Sequence, residues 1–166
     1  MKIITDALAR QSAGISAPVP SALADFSQLS TDEKLGLLWC IYEQMGKGSV
    51  TPAATGAARL QFAEGLLGQV KALSANEQLS FMQGLVEKRN TALSRAYGLL
   101  TNNTKLAFWY QLAELMRSGE VITVPERYVL PYKARNLYER ILSLQFGEQI
   151  SVLRQAVVAM GYDPFS

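Results

Sequence analysis

The chain has no histidine and only one cysteine, Cys40, among its 166 residues. Those two shortages remove most of the usual chemistry. Without histidine there is no Ser-His-Asp or Cys-His nucleophile system. Zinc sites draw on Cys and His, and one cysteine cannot supply them. A lone cysteine forms no internal disulfide, which fits a reducing compartment. Charge is scarce as well. Charged residues make up 18% of the chain and the net charge is +2, against the usual ~25% charged. That is too little positive charge for a nucleic-acid footprint, and Lys and Arg form no long run. No apolar run approaches the ~20 residues of a membrane span. The apolar stretch at Met1–Asp6 is too short for a secretory signal. Phosphate-cradling glycine motifs of the GxGxxG or P-loop kind are also missing. Asp32-Glu33 are adjacent carboxylates, but they sit where a helix dipole favours acids anyway. The expectation is a cytoplasmic protein that is not an enzyme, with no nucleic-acid partner and no integral membrane segment.

What the chain has in excess is apolar surface. Hydrophobic residues reach 49%. Either the core is unusually large or some apolar side chains face a ligand or partner. The length suits one domain, or one domain with two similar halves.

The apolar pattern reads as helical almost throughout. Residues 2–10 form a possible short helix, and Gln11–Pro20, with Gly14, Pro18 and Pro20, reads as a linker. Residues 1–20 are therefore expected to be an arm and linker, and 21–166 the helical domain. A short helix is expected from Ser21 to Leu29. Ser30 and Glu33 have capping-box spacing, followed by Leu35, Leu38, Trp39, Tyr42 and Met45 on one helix face. Gly46 and Gly48 are expected to end that helix. Pro52 suits the first turn of the next, whose start is crowded with small residues from Ala53 to Ala58. Ser74 and Glu77 repeat the capping pattern ahead of Leu79, Met82, Leu85 and Val86. Thr91 can cap a shorter helix, and Thr101–Thr104 can cap a long one carrying Leu106, Trp109, Tyr110, Ala113 and Met116. Residues 120–131, closed off by Pro125 and Pro131, read as an extended connector. Two helices, about 132–145 and 147–160, finish the chain with a break near Gly147. Arg127, Lys133, Arg135 and Arg140 make either a solvated face or a basic docking patch.

Both tryptophans lie in two segments that run in parallel, Lys34–Met45 and Lys105–Met116. The Lys, Leu, Glu and Met pairs are identical between them. The offset is near half the chain, which suits two related helical bundles packed together. Two readings of these aromatics stand side by side. Trp39, Tyr42, Trp109 and Tyr110 can be core residues of a bundle. They can also line a cleft for a long, flat, apolar molecule, with methionines adapting to its outline.

Four stretches carry a resemblance: Phe26-Ser27-Gln28-Leu29; Leu35 to Gly46 with Trp39-x-x-Tyr42-x-x-Met45-Gly46; Lys105 to Met116; and Ile150 to Gly161. In that order they resemble the N-terminal domain of the cyanobacterial orange carotenoid protein family. The resemblance covers nearly the whole chain. It implies an all-α fold of two interleaved four-helix bundles. It also implies a bound keto-carotenoid of the canthaxanthin, echinenone or 3'-hydroxyechinenone type. By matching positions, Leu35, Trp39, Tyr42, Trp109 and Tyr110 would contact the end ring and adjacent polyene. Met82, Leu106, Met116, Val124, Pro125, Tyr128, Ile150, Val157 and Met160 would line the rest.

The implied function is photoprotection by quenching singlet oxygen or excited states. Two alternatives stay open. One is an energy quencher that docks on the phycobilisome, associated with the thylakoid through that antenna. The other is a carrier that exchanges pigment with a separate homologue of the family's C-terminal domain. Full-length members carry that second, α/β domain, whereas this chain ends at Ser166, so a stand-alone helical carotenoid protein is expected. Arg154 matches an arginine that bridges to the second domain and engages the antenna, which makes it the candidate partner-binding residue.

Overall fold

The computed structural model describes residues 18–46 and 60–165. The helix expected at 2–10 and the small-residue stretch from Ala53 to Ala58 lie outside the described residues. Within them the chain forms eight helices: α1 (Pro18–Ser27), α2 (Thr31–Gly46), α3 (Leu60–Lys71), α4 (Ala75–Val86), α5 (Ala92–Gly98), α6 (Asn102–Ser118), α7 (Tyr132–Ser143) and α8 (Phe146–Val158).

The starts of these helices are set by short side chains that satisfy otherwise orphaned N–H groups. Ser30 opens α2: its Oγ accepts from the Glu33 N–H at 3.2 Å, and the Glu33 carboxylate accepts from the Ser30 N–H at 3.0 Å. Ser74 and Glu77 make the same reciprocal pair at the start of α4. Thr91 and Thr101 cap α5 and α6 through their hydroxyls. Gly119 ends α6 in the left-handed conformation, φ 82°.

Two boundaries differ from the pattern reading. α1 begins at Pro18 rather than Ser21, so both prolines fall in its first turn. A first turn does not use its own N–H groups, so proline fits there. The break between the last two helices falls at Leu144–Gln145, not at Gly147. Leu144 is extended, and the Glu148 carboxylate accepts from the Gln145 N–H at 3.2 Å. That pairing starts α8 and leaves Gly147 inside its first turn.

The helices pack as two interleaved groups of four. α1, α2, α7 and α8 form one, in which α1 lies on α7 and α8 and α2 lies on α7. α3, α4, α5 and α6 form the other, inserted between the chain's early and late helices. α6 joins them, packing on α3 within its own group and on α2 and α8 across the seam; α2 also reaches α4. This central position explains why α6 is apolar on most sides: Leu106, Ala107, Phe108, Trp109, Leu112 and Ala113 are all buried. Behind it Phe108 packs edge-on against Tyr97 and Phe81, with ring centroids 5.4 and 6.1 Å apart. Cys40 on α2 is half-buried.

Candidate functional site

The seam between the two bundles opens into a cleft of about 410 Å³. Three helices and one extended segment build it. α2 contributes Leu35, Leu38, Trp39 and Tyr42, a helical i, i+3, i+4, i+7 row. α4 contributes Leu79, Met82 and Gln83, and α6 contributes Trp109, Ala113 and Met116. The fourth wall is the strap of residues 119–131, through Ile122, Thr123, Val124, Pro125 and Tyr128.

The strap has no regular secondary structure, so its position depends on individual anchors. Its Val121 is buried and donates its N–H to the Leu115 carbonyl at 3.2 Å. The buried Gln78 amide then bridges two elements. Its oxygen accepts from the Ile122 N–H at 2.8 Å, and its nitrogen donates to the Val70 carbonyl at 3.1 Å. One buried side chain thereby ties the strap to the end of α3 and gives the Ile122 N–H a partner that no helix or sheet provides. At the other end, Tyr128 lies across Gly36 on α2. A Cβ at position 36 would collide with the Tyr128 ring, so that glycine is what lets the strap close down on the helix.

The cleft grades from wet to dry. Asp32, Thr123 and Pro125 at its mouth are exposed, and Tyr128 keeps 37% of its surface open. Its floor of Leu38, Tyr42, Met82 and Trp109 is buried, with Tyr42 2% and Trp109 5% exposed. The polar atoms of the floor are turned into the protein. The Trp109 Nε1–H donates to the Tyr97 hydroxyl at 2.9 Å, and that hydroxyl donates to the Val157 carbonyl. The Tyr42 hydroxyl donates to the Leu106 carbonyl across a longer 3.4 Å. Burial pushes the Tyr42 and Tyr97 phenols well above their ordinary value of 10, the Trp109 bond offsetting part of it for Tyr97. The floor therefore carries no charge at neutral pH. What it offers a ligand is aromatic and aliphatic carbon.

The positions expected to touch a pigment fall into two sets. Leu35, Trp39, Tyr42, Met82, Trp109, Met116, Val124, Pro125 and Tyr128 meet around this single cleft. Leu106, Tyr110, Ile150, Val157 and Met160 lie outside it. Leu106 and Val157 are fully buried; the Leu106 carbonyl accepts from Tyr42 in the floor, and the Val157 carbonyl accepts from Tyr97 behind it. Tyr110 is half-buried, its ring centroid 6.4 Å from that of Tyr42. Ile150 packs against the core from α8, and Met160 sits with Lys105 and Gly161 in a separate depression. Arg154 is half-buried, and its Nε is enclosed without a hydrogen-bond partner.

Pattern reading missed several cleft residues. Leu38, Leu79 and Ala113 were within reach, since each stands three or four positions from a residue already singled out. Asp32, Gly36 and Gln83 were not, nor was Tyr97, which holds the floor from behind, because their roles depend on partners far away in the chain.

Among the described residues no group of His, Cys, Asp and Glu is placed to hold a metal ion, and no helix is long and apolar enough to cross a membrane. The fold and site together define an all-helical domain of two interleaved bundles with a deep apolar cleft at their seam. Residues 12–163 match the family described as orange carotenoid protein, N-terminal, and the chain belongs to that family. An orange carotenoid-binding domain-containing protein from Nostoc sp. is 52% identical over 148 residues, which are 89% of this chain and 86% of that protein. The orange carotenoid-binding protein of Synechocystis sp. is 42% identical over 144 residues, but the match covers only 45% of that longer protein. Among solved structures, the orange carotenoid protein of Anabaena (Nostoc) sp. binding canthaxanthin superposes with a TM-score of 0.80 at 42% identity. It covers 88% of this chain and 47% of that one. The red carotenoid protein of the same organism, also binding canthaxanthin, gives 0.77 at 35% identity and is covered over 99% of its length, with 87% of this chain.

Proposed function

We propose that this chain binds a keto-carotenoid, with one end ring and the adjoining polyene in the seam cleft, and serves photoprotection by quenching singlet oxygen or excited states. The observation that carries the reading is the floor of the cleft. Trp109 and Tyr42 present ring surface there while their polar atoms are tied to Tyr97 and Leu106, and the partly buried Trp39 lines the cleft beside them. A volume of about 410 Å³ is within the range of ~300–1,000 Å³ for small-molecule sites. The pigment supplies the photophysics, and the protein supplies burial, orientation and electrostatic tuning. Most of the affinity comes from buried apolar area, with about 0.5–1.5 kcal/mol from each aromatic contact beyond area. Leu106, Tyr110, Ile150, Val157 and Met160 continue the path beyond the cleft in this reading, reached when the seam parts around the pigment.

The test is expression in carotenoid-producing cells, followed by organic extraction of the purified protein and an absorption spectrum. A coloured protein that loses pigment on Trp109→Ala or Tyr42→Ala supports the proposal. A colourless protein overturns it.

A second reading is docking on a light-harvesting antenna or on a separate pigment-exchanging partner through Arg154, whose side chain is partly exposed on α8. Mixing holoprotein with phycobilisomes tests the antenna arm; unchanged antenna fluorescence counts against it. Pigment transfer between purified partners tests the other.

A further inference from the structure

The mouth of the cleft is chemically unlike its floor. Asp32 and Gln83 both line it, one from the first turn of α2 and the other from the last turn of α4. They meet across the seam: the Gln83 amide nitrogen donates to Asp32 Oδ1 at 3.1 Å. Beside them the mouth is lined by Thr123 and by Tyr128, whose phenol covers Gly36 one turn along from Asp32.

The hydrogen-bond inventory of this cluster is lopsided in a useful way. A carboxylate accepts at roughly four lone-pair sites and donates nothing; the Gln83 bond occupies one of them. The Gln83 amide keeps a second N–H, and the Tyr128 and Thr123 hydroxyls can each donate. A group that both donates and accepts fits here, donating to Asp32 and accepting from Gln83 or Tyr128. A hydroxyl does both. A ketone accepts only, so it can take the Gln83 or Tyr128 donor but offers nothing to the remaining Asp32 lone pairs. The floor has no comparable group, since its phenol and indole donors point at Leu106 and Tyr97.

We infer that the Asp32–Gln83 pair makes the mouth a hydroxyl-recognition subsite, so that the cleft selects carotenoids bearing a ring hydroxyl on the solvent-facing end. This deepens, and rests on, the reading of the cleft as a carotenoid site. Asp32 and Gln83 are specificity-determining residues there. Because the mouth is solvated, the selection is moderate, on the order of fivefold, the scale of one net hydrogen bond.

The test uses two pigments that differ only in ring hydroxyls, canthaxanthin and its dihydroxylated counterpart astaxanthin. Full-length apoprotein is incubated with an equimolar mixture, repurified, extracted and quantified by chromatography. The wild type is expected to hold astaxanthin in about fivefold excess. Asp32→Ala and, separately, Gln83→Leu should bring the ratio toward one. The second variant guards against loss of helix-start stability in the first. Equal retention of the two pigments by the wild type overturns the inference and leaves the carotenoid reading standing. An excess that persists in both variants overturns it too, because the hydroxyl is then read elsewhere. If neither pigment is retained, the carotenoid reading itself fails, and the inference falls with it.

Discussion

Tyr97 never touches the cleft, yet the floor hangs on its hydroxyl, so Tyr97→Phe is the most informative single perturbation. The phenylalanine keeps the ring and its edge-on contact with Phe108 at 5.4 Å. Only the oxygen goes, and with it two hydrogen bonds. Their losses are unequal. The Val157 carbonyl also accepts from the Met160 N–H at 3.3 Å, so it keeps a partner. The Trp109 Nε1–H has the Tyr97 hydroxyl at 2.9 Å and lies in a residue only 5% exposed. It becomes a buried donor with nothing to bond. An orphaned buried donor costs about 1–3 kcal/mol, and the carbonyl loss is smaller, so the expected destabilisation is about 2 kcal/mol. For a domain near this size that lowers Tm by roughly 4–8 °C. The assay is urea unfolding of the apoprotein followed by circular dichroism, run as a double-mutant cycle with Trp109→Phe. If the cost comes from the orphaned indole, Tyr97→Phe should be cheaper by about 1 kcal/mol once that indole is gone. Additive effects, or a Tyr97→Phe change within about 0.5 kcal/mol of wild type, would refute the reasoning.

Three further outcomes follow from the same geometry. Gly36→Ala gains about 1 kcal/mol of helix propensity but drives Tyr128 off α2, so stability should change little while pigment exchange from a loaded protein accelerates; an unchanged exchange rate counts against the strap as a cover. In an alkaline absorbance titration at 295 nm, Tyr42 and Tyr97 should stay un-ionised at about pH 11, above the ordinary tyrosine value, until the protein unfolds, since burial raises both. At the acid end, hydrogen bonds from Ser30 and Ser74 hold Glu33 and Glu77 below their ordinary 4.5. Their stabilisation is complete above pH 4.5 and is lost as pH falls through the lowered values. The urea midpoint should drop across that window, and the slope should flatten in a Glu33→Gln/Glu77→Gln double variant.

Much of the fold was legible from local chemistry. The capping pairs at Ser30 and Ser74, the hydroxyl caps at Thr91 and Thr101 and the stop at Gly119 each involve residues within one helical turn. The places where pattern reading slipped are also local competitions. Prolines at 18 and 20 look like breakers but suit a first turn, and Gly147 looks like a break but yields to the Gln145–Glu148 pair. The cleft was half legible. Trp39, Tyr42, Trp109 and Met116 declared themselves by type and spacing. The parallel between α2 and α6 pointed to two bundles meeting at aromatic residues, and one helix does come from each.

The sequence by itself determined what this protein lacks and what its helices expose: no histidine chemistry, little charge, and aromatic rows on two central helices. Those are properties of composition and of the 3.6-residue period, and both can be counted along the chain. Only the tertiary structure decided which of those rings become a floor and which stay in the core, because that depends on bonds between distant residues. Tyr97 takes the Trp109 indole and passes a proton bond to Val157, 60 positions from Tyr97. Gln78 holds the strap 44 positions on, and Asp32 meets Gln83 across 51. Such partners are chosen by packing at the seam, and no spacing along the chain encodes them.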